Sequence, residues 1–209
     1  MFYLVTSPWW MRMLYPSGLI WNLPTQEKNL FLTFDDGPHP VATPIVLDLL
    51  KRFDAKATFF CIGNNVLKYP EIYKRILMEG HRVGNHTHNH CNGWKTPDQE
   101  WVKSIKQAAE HIDSNLFRPP YGRLKRFPSK VVQQHNPPFK IIMWDVLSAD
   151  FDLSKTGDQC FQNVRKHARN GSVVVFHDSE KALPRMEEAL KKTLEYFTEK
   201  GYRFIRIEK

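Results

Sequence analysis

Residues 29–38 read NLFLTFDDGP. Leu30 to Phe34 form a mostly apolar run without alternation, the pattern of a strand buried on both faces of a parallel sheet. The run breaks at Asp35-Asp36-Gly37-Pro38, where Gly37 frees φ and Pro38 ends a ladder. Two adjacent carboxylates are thereby predicted at the C-terminal end of a buried strand, where parallel α/β folds place their chemistry. Two such charges repel unless a cation lies beside one of them. Taken alone, the same tetrapeptide also fits a solvated turn, so the rest of the chain has to decide.

Outward from this stretch, apolar β-rich runs alternate with helical periodicity. A helix is predicted over Val41–Phe53 and a strand over Ala57–Ile62. A helix then runs from Gly63 to about Glu79, closed by Gly80, and a third strand covers His81–Asn85. Further helices are expected over Pro97–Asp113, Ser129–Gln134, Asp158–Arg169 and Lys181–Lys200. Strands are expected at Leu116–Arg118, Phe139–Val146, Val173–Phe176 and Tyr202–Ile207. Seven alternations in one domain mean a parallel sheet, open or closed. Residues 1–28, rich in Trp, Pro and Met, read as an irregular lead-in packed on the sheet domain of residues 29–209.

The 209 residues suffice for one full core, and 42% hydrophobic with 25% charged is an ordinary globular composition. A formal charge of +8 permits an anionic partner without requiring one, and the cations are spread out. The densest segments, Arg123–Lys140 and Arg165–Arg169, read as solvated surface, so nucleic-acid binding is not expected. Cys61, Cys91 and Cys160 imply no disulfide framework. The N-terminus lacks a basic start and its apolar run is cut by Thr6, Ser7 and Pro8, unlike a secretory signal. With no run of membrane-spanning length, a cytoplasmic location without an integral membrane segment is the default expectation.

Every distinctive polar cluster follows a strand. His86 and His90, in HTHNH, are four apart and can face one way; with Asp36 they make a set of two imidazoles and a carboxylate. Such a set leaves positions open for water and substrate, as a catalytic divalent metal requires. His88 would project elsewhere, and Cys91 is too close to His90 to join. RPPYG (118–122) combines a cation, rigid prolines and backbone N–H groups suited to an oxyanion. VVVFHD (173–178) delivers His177 from the end of a buried strand.

TFDDGP (33–38), HTHNH (86–90), RPPYG (118–122), WDVLSADF (144–151) and VFHD (175–178) together resemble the five ordered motifs of the polysaccharide deacetylase family, carbohydrate esterase family four. The resemblance covers about residue 29 to the C-terminus. It implies an α/β fold, a deformed (β/α) barrel of about seven parallel strands in a single domain. The activity implied is removal of N-acetyl groups from N-acetylglucosamine-containing saccharides such as peptidoglycan or chitin, and for some members of acetyl esters from xylan. By position, Asp35 resembles the general base and Asp36, His86 and His90 the metal ligands, with Zn²⁺ first and Co²⁺ or Ni²⁺ as alternatives. Arg118 resembles the residue that orients the base, and Tyr121 the one whose N–H meets the oxyanion. His177 resembles the general acid, and Asp150 the carboxylate that tunes it. Leu147, Phe151 and Val175 depart from residues usual in these motifs and alter groove walls, not the acid–base pair. Trp94, Tyr121, Trp144 and Phe151 are candidate sugar-stacking faces. Two other readings share the sequence: the same hydrolysis on a small soluble amide or ester, and a non-catalytic saccharide-binding barrel.

Overall fold

In the structure, a computed structural model describing residues 3–125, 132 and 137–208, β1 spans Asn29–Asp35 and is buried throughout. It pairs in parallel with β2 (Thr58–Cys61) on one side and β7 (Val173–His177) on the other. With β3 (Arg82–Asn85), β4 (Leu116–Phe117), β5 (Lys140–Ile141) and β6 (Val146–Leu147), the row runs β5-β4-β3-β2-β1-β7-β6. All pairings are parallel, giving a curled half-barrel. An eighth strand, β8 (Arg203–Phe204), pairs with the start of β1, and its Phe204 carbonyl accepts from Lys56 N–H. It is thereby wedged between the beginnings of β1 and β2.

Helices pack around the sheet: α2 (Ala42–Arg52), α3 (Gly63–Lys68), α4 (Pro70–Met78), α5 (Asp98–Ala109), α6 (Gly157–His167) and α7 (Leu183–Glu199). α6 starts with a capping box, Thr156 Oγ1 accepting from Gln159 N–H and the Gln159 side chain from Thr156 N–H. α2 has no hydroxyl cap; His39 Nδ1 instead accepts from the N–H groups of Val41 and Ala42. The core under β1 is aromatic, with Phe34 stacked between Phe59 at 5.0 Å and Phe176 at 5.9 Å.

Two expectations are corrected. The helix predicted from Gly63 to Glu79 is two helices, because Pro70 has no N–H to continue α3 and Tyr69 before it leaves helical space at φ −130°, ψ 58°. The strand predicted over Phe139–Val146 is split into β5 and β6, at opposite ends of the row. Its middle carbonyls, Ile142 and Met143, are taken by the Arg118 guanidinium instead of a neighbouring strand. The helix expected over Ser129–Gln134 lies outside the described residues.

The lead-in contains a single helical turn, α1 (Trp9–Arg12). It bridges Thr6 to Val146 and Ile20 to Ile142, so it lies along β6 and the end of β5. Both ends of the open row are thus covered rather than left as free edges.

Candidate active site

The C-terminal ends of β1, β3, β4 and β7 converge on one cluster. Asp35 is the last residue of β1 and lies in register with His177, the last of β7. Asp36 follows in left-handed backbone, φ 82°. Asn85 ends β3, and its Oδ1 accepts from Thr87 N–H while its Nδ2 donates to the Ile105 carbonyl. This folds HTHNH into a tight loop with Thr87 and His90 also at positive φ. Ser104 on α5 accepts from His88 N–H and fixes the far side of that loop.

The ligating atoms of Asp36, His86 and His90 lie within 4.8 Å of one another. Asp36 Oδ1 is 3.1 Å from His90 Nε2 and 3.8 Å from His86 Nε2. Yet this buried oxygen accepts no hydrogen bond of good geometry from the described residues. The opposite face of the His86 ring is committed: Nδ1 donates to the Arg118 carbonyl at 2.7 Å, which leaves the Nε2 lone pair aimed at the carboxylates. Burial pushes the His86 pKa down to about 4, against the raising charges of Asp35 and Asp36, so the ring is neutral at pH 7. Burial opposes the Asp36 charge as well, but the adjacent His90 and the charges of His177 and His86 hold its carboxyl well below the usual range. An anionic oxygen and two imidazoles facing one point, with that oxygen otherwise orphaned among the described residues, fit a divalent cation.

Arg118 is fully buried and all three of its nitrogens donate hydrogen bonds. Nη1 donates to Asp35 Oδ1 and Thr33 Oγ1, both at 2.7 Å; Nε and Nη2 donate to the Ile142 and Met143 carbonyls. Its plane lies 4.1 Å from the Phe60 ring centroid. Asp35 is therefore held by one oxygen, and its Oδ2 is directed at the metal-type triad, 4.0 Å from His86 Nε2.

His177 Nδ1 meets Asp150 Oδ1 at 2.7 Å, and the His177 main-chain N–H donates to Asp150 Oδ2. Burial lowers the His177 pKa, but the Asp150 charge and hydrogen bond outweigh it, with help from Asp36 and Asp35, and the ring is raised to about 9. Tyr121 lies at φ 60° in a 3-10 turn, Pro120–Gly122, with its ring 4.6 Å from His90. Gly122 and Arg123 N–H bond back to Pro119 and Pro120, whereas no hydrogen bond of the described residues uses the Tyr121 N–H.

The aromatics expected around the site are dispersed. Phe151 stands edge-on to His177 at 5.4 Å, Trp144 packs against Arg118 at 5.8 Å, and exposed Trp94 lies under Arg123 at 4.9 Å. His88 is buried away from the triad, its ring 6.2 Å from that of His111, and Cys91 contacts Ser104. Three supporting residues escaped the sequence reading. Asp178 accepts from Gly37 N–H and Thr43 Oγ1 and so anchors the Asp-Asp-Gly-Pro loop; a Cβ at Gly37 would sit 2.0 Å from Asp178 Oδ2. Asn65 Nδ2 donates to the Asp36 carbonyl at 2.8 Å. Thr33 holds Arg118 and donates to the Val174 carbonyl. The visible signal for Thr33 was a lone hydroxyl inside an apolar strand, which must find a partner.

Comparison with known proteins adds to the geometry. The family model "Polysaccharide deacetylase" matches residues 22–137. A peptidoglycan-N-acetylglucosamine deacetylase of Bacillus cereus is 34% identical, covering 93% of each chain. A chitooligosaccharide deacetylase of Azorhizobium caulinodans is 32% identical over 73% of this chain and 74% of its own. The crystal structure of a peptidoglycan N-acetylglucosamine deacetylase bound to 4-naphthalen-1-yl-N-oxidanyl-benzamide superposes with a TM-score of 0.86 at 32% identity, covering 96% of this chain and 94% of that one.

Proposed function

Because the chain belongs to the polysaccharide deacetylase family, we propose that it is a metal-dependent amide hydrolase that removes N-acetyl groups from N-acetylglucosamine units of a peptidoglycan- or chitin-like saccharide. The observation that carries this reading is the pairing of two sites side by side: the Asp36–His86–His90 triangle and the Arg118-held Asp35. A divalent cation, Zn²⁺ first among candidates, held by Asp36, His86 and His90 supplies a water whose pKa falls from ~15.7 toward ~7–9 and a Lewis acid for the acetamide carbonyl.

The chain's own residues do the rest. Asp35, held and oriented through Oδ1 by Arg118, takes the proton of the attacking water on Oδ2. The Tyr121 N–H, used by no hydrogen bond among the described residues, donates to the carbonyl oxygen as it gains charge, a contact worth roughly 3–4 kcal/mol where such donors have been removed. His177, protonated through its pairing with Asp150, gives a proton to the departing amine nitrogen from Nε2, since Nδ1 is held by Asp150. Phe151 and Tyr121 flank the acid and the triad and offer flat faces to a sugar ring.

The test is acetate release from N-acetylglucosamine oligosaccharides and peptidoglycan fragments, with metal analysis before and after chelation. The expected result is about one divalent ion per chain, loss of activity on chelation and recovery on adding Zn²⁺ or Co²⁺. Activity that survives complete metal removal would refute metal dependence. Acetate from simple amides alone would shift the substrate to a small molecule.

A further inference from the structure

α1 and the residues after it carry an apolar patch that nothing among the described residues covers. Trp9, Trp10, Met13 and Leu14 are 74%, 52%, 71% and 72% exposed. Trp9 and Met13, like Trp10 and Leu14, are four residues apart around one helical turn, so the four side chains form two neighbouring columns. Apart from the adjacent pair Leu77 and Met78, other exposed large apolar residues, such as Val41, Leu67 and Leu153, are scattered singly and need no explanation. Four within six residues do.

The patch has a basic border. Arg12 donates from Nε to the Ser7 carbonyl and lies 5.5 Å over Trp21. The next residues of the lead-in are tied to the loop after α6: Asn22 bridges Ser172, and Leu23 N–H donates to the Gly171 carbonyl at 2.9 Å. That loop brings Arg169 close enough for its charge to act on Arg12. Lys166 and Arg169 are exposed, and neither belongs to any ion pair among the described residues.

We infer that this face is a seat on an anionic phospholipid bilayer: Trp9, Trp10, Met13 and Leu14 enter the interfacial layer while Arg12, Lys166 and Arg169 meet the headgroups. Tryptophans beside aliphatic side chains and bordered by cations are the composition of interfacial anchors, and the net charge of +8 has the sign that anionic lipid attracts. A second copy of the chain would bring Arg12 and Arg169 against one another, which repels. A saccharide would need hydrogen-bonding side chains between the rings, and the patch offers Met13 and Leu14 instead.

The seat is also anchored to the sheet. Ser7 N–H donates to the Asp145 carbonyl, and the Asp145 carboxylate holds Ser172 Oγ and Val173 N–H, at the start of β7. His177 ends that strand four residues later, ~13 Å away at ~3.3 Å per residue. The patch is thus tied at its Ser7 end to the foot of the barrel, while Tyr15 at its other end lies within reach of the Arg123 charge. No helix among the described residues is long and apolar enough to cross a membrane, so attachment here is peripheral.

The experiment is co-sedimentation of the full chain with vesicles of equal phosphatidylglycerol and phosphatidylcholine, and with phosphatidylcholine alone, across a salt series. The expected result is binding to the anionic vesicles that weakens with salt. Trp9→Ala/Trp10→Ala should bind at least about tenfold more weakly at every salt concentration. Lys166→Glu/Arg169→Glu should lose about tenfold at low salt and most of the salt dependence. Both pairs should release acetate from soluble oligosaccharide like the parent and melt at its temperature, so failure of the seat is distinct from failure of the deacetylase reading. Absence of parent binding to anionic vesicles, or binding untouched by both pairs, overturns the inference. So does a dimer that Trp9→Ala/Trp10→Ala dissolves, or capture by insoluble glycan in place of vesicles.

Discussion

Asp150→Asn isolates what the buried carboxylate does for the acid. In the native protein Asp150 presents one oxygen to the His177 ring and the other to its main-chain N–H, and the ring titrates at about 9 although its burial alone would lower it. Asparagine keeps the size and one acceptor but removes the charge, so burial should return His177 to its ordinary value of ~6.5 or below. At pH 8 a group of pKa about 9 is ~90% protonated, and one of ~6.5 is ~3% protonated, a ratio of roughly 30. At pH 6 the two are ~100% and ~76%, nearly equal. The prediction is therefore a kcat loss of ~30-fold at pH 8 that almost closes at pH 6, measured as acetate release from pH 5.5 to 10 at saturating metal. The amide nitrogen of asparagine cannot accept the His177 N–H, and that defect lowers the whole profile without moving its alkaline limb. Parallel profiles with the same alkaline limb would refute the assignment of His177 as a proton donor tuned by Asp150.

The same pairing has a stability consequence. His177 has a folded pKa above its unfolded value, so its contribution is full below ~6.5 and is lost as pH rises through about 9; thermal unfolding should show native stability falling across that window more steeply than in Asp150→Asn. Asp35→Asn should cut turnover by roughly 10²–10⁴ while metal content, read by elemental analysis, stays at the parent level; loss of the ion would show Asp35 to be a ligand rather than the base. Thr33→Val leaves Arg118 Nη1 with one acceptor instead of two, and chemical denaturation should register a loss of about 1–3 kcal/mol; no change would mean the hydroxyl is idle. Gly37→Ala must displace Asp178 or the loop itself, given 2.0 Å between the new Cβ and Asp178 Oδ2, and competition with a chromophoric chelator should show at least about tenfold weaker metal binding. Unaltered affinity would separate the loop's position from the ligand geometry.

The residues that make the site were legible because each sits where a local rule changes. The uninterrupted apolar run of β1 ends in a turn-forming tetrapeptide, and both signals are contained in ten residues. The spacing of His86 and His90 is equally local. What misled was decided at a distance. No periodicity in residues 139–146 reveals that two of its carbonyls are claimed by Arg118, 24 and 25 residues earlier, and so one strand was expected where two stand. Asp178 escaped for the same reason: its partners, Gly37 and Thr43, lie 141 and 135 residues away. The break before α4 was different, since Pro70 was in plain view and its missing N–H sufficed to end a helix. Of α1 the sequence showed only composition; the exposure of Trp9 and Trp10 is a property of how the lead-in is pinned to β6.

The site's charges suit the proposed cation. Four carboxylates crowd the mouth of the barrel. Asp35 is matched by Arg118, and Asp150 by His177, which at about 9 is protonated at neutral pH. Asp178 is pushed up to about 8 by its burial, with the nearby Asp36 charge adding to it, so at pH 7 it is mostly neutral and acts as a hydrogen-bonding post. That leaves Asp36, ionised, facing a His86 ring that stays neutral, its Oδ1 3.1 Å from His90 Nε2 but without a hydrogen bond of good geometry among the described residues. A divalent cation held by Asp36, His86 and His90 would meet that charge directly. Most of the backbone strain has the same address: Asp36, Thr87, His90, Tyr121 and Ala149 adopt positive φ, Asp54 being the exception elsewhere among the described residues, each at roughly 1–2 kcal/mol for a residue with a Cβ. These conformations turn side chains from four strand ends toward a common centre, and the sheet beneath, with its ladders intact, carries the stability that lets the loops hold them there.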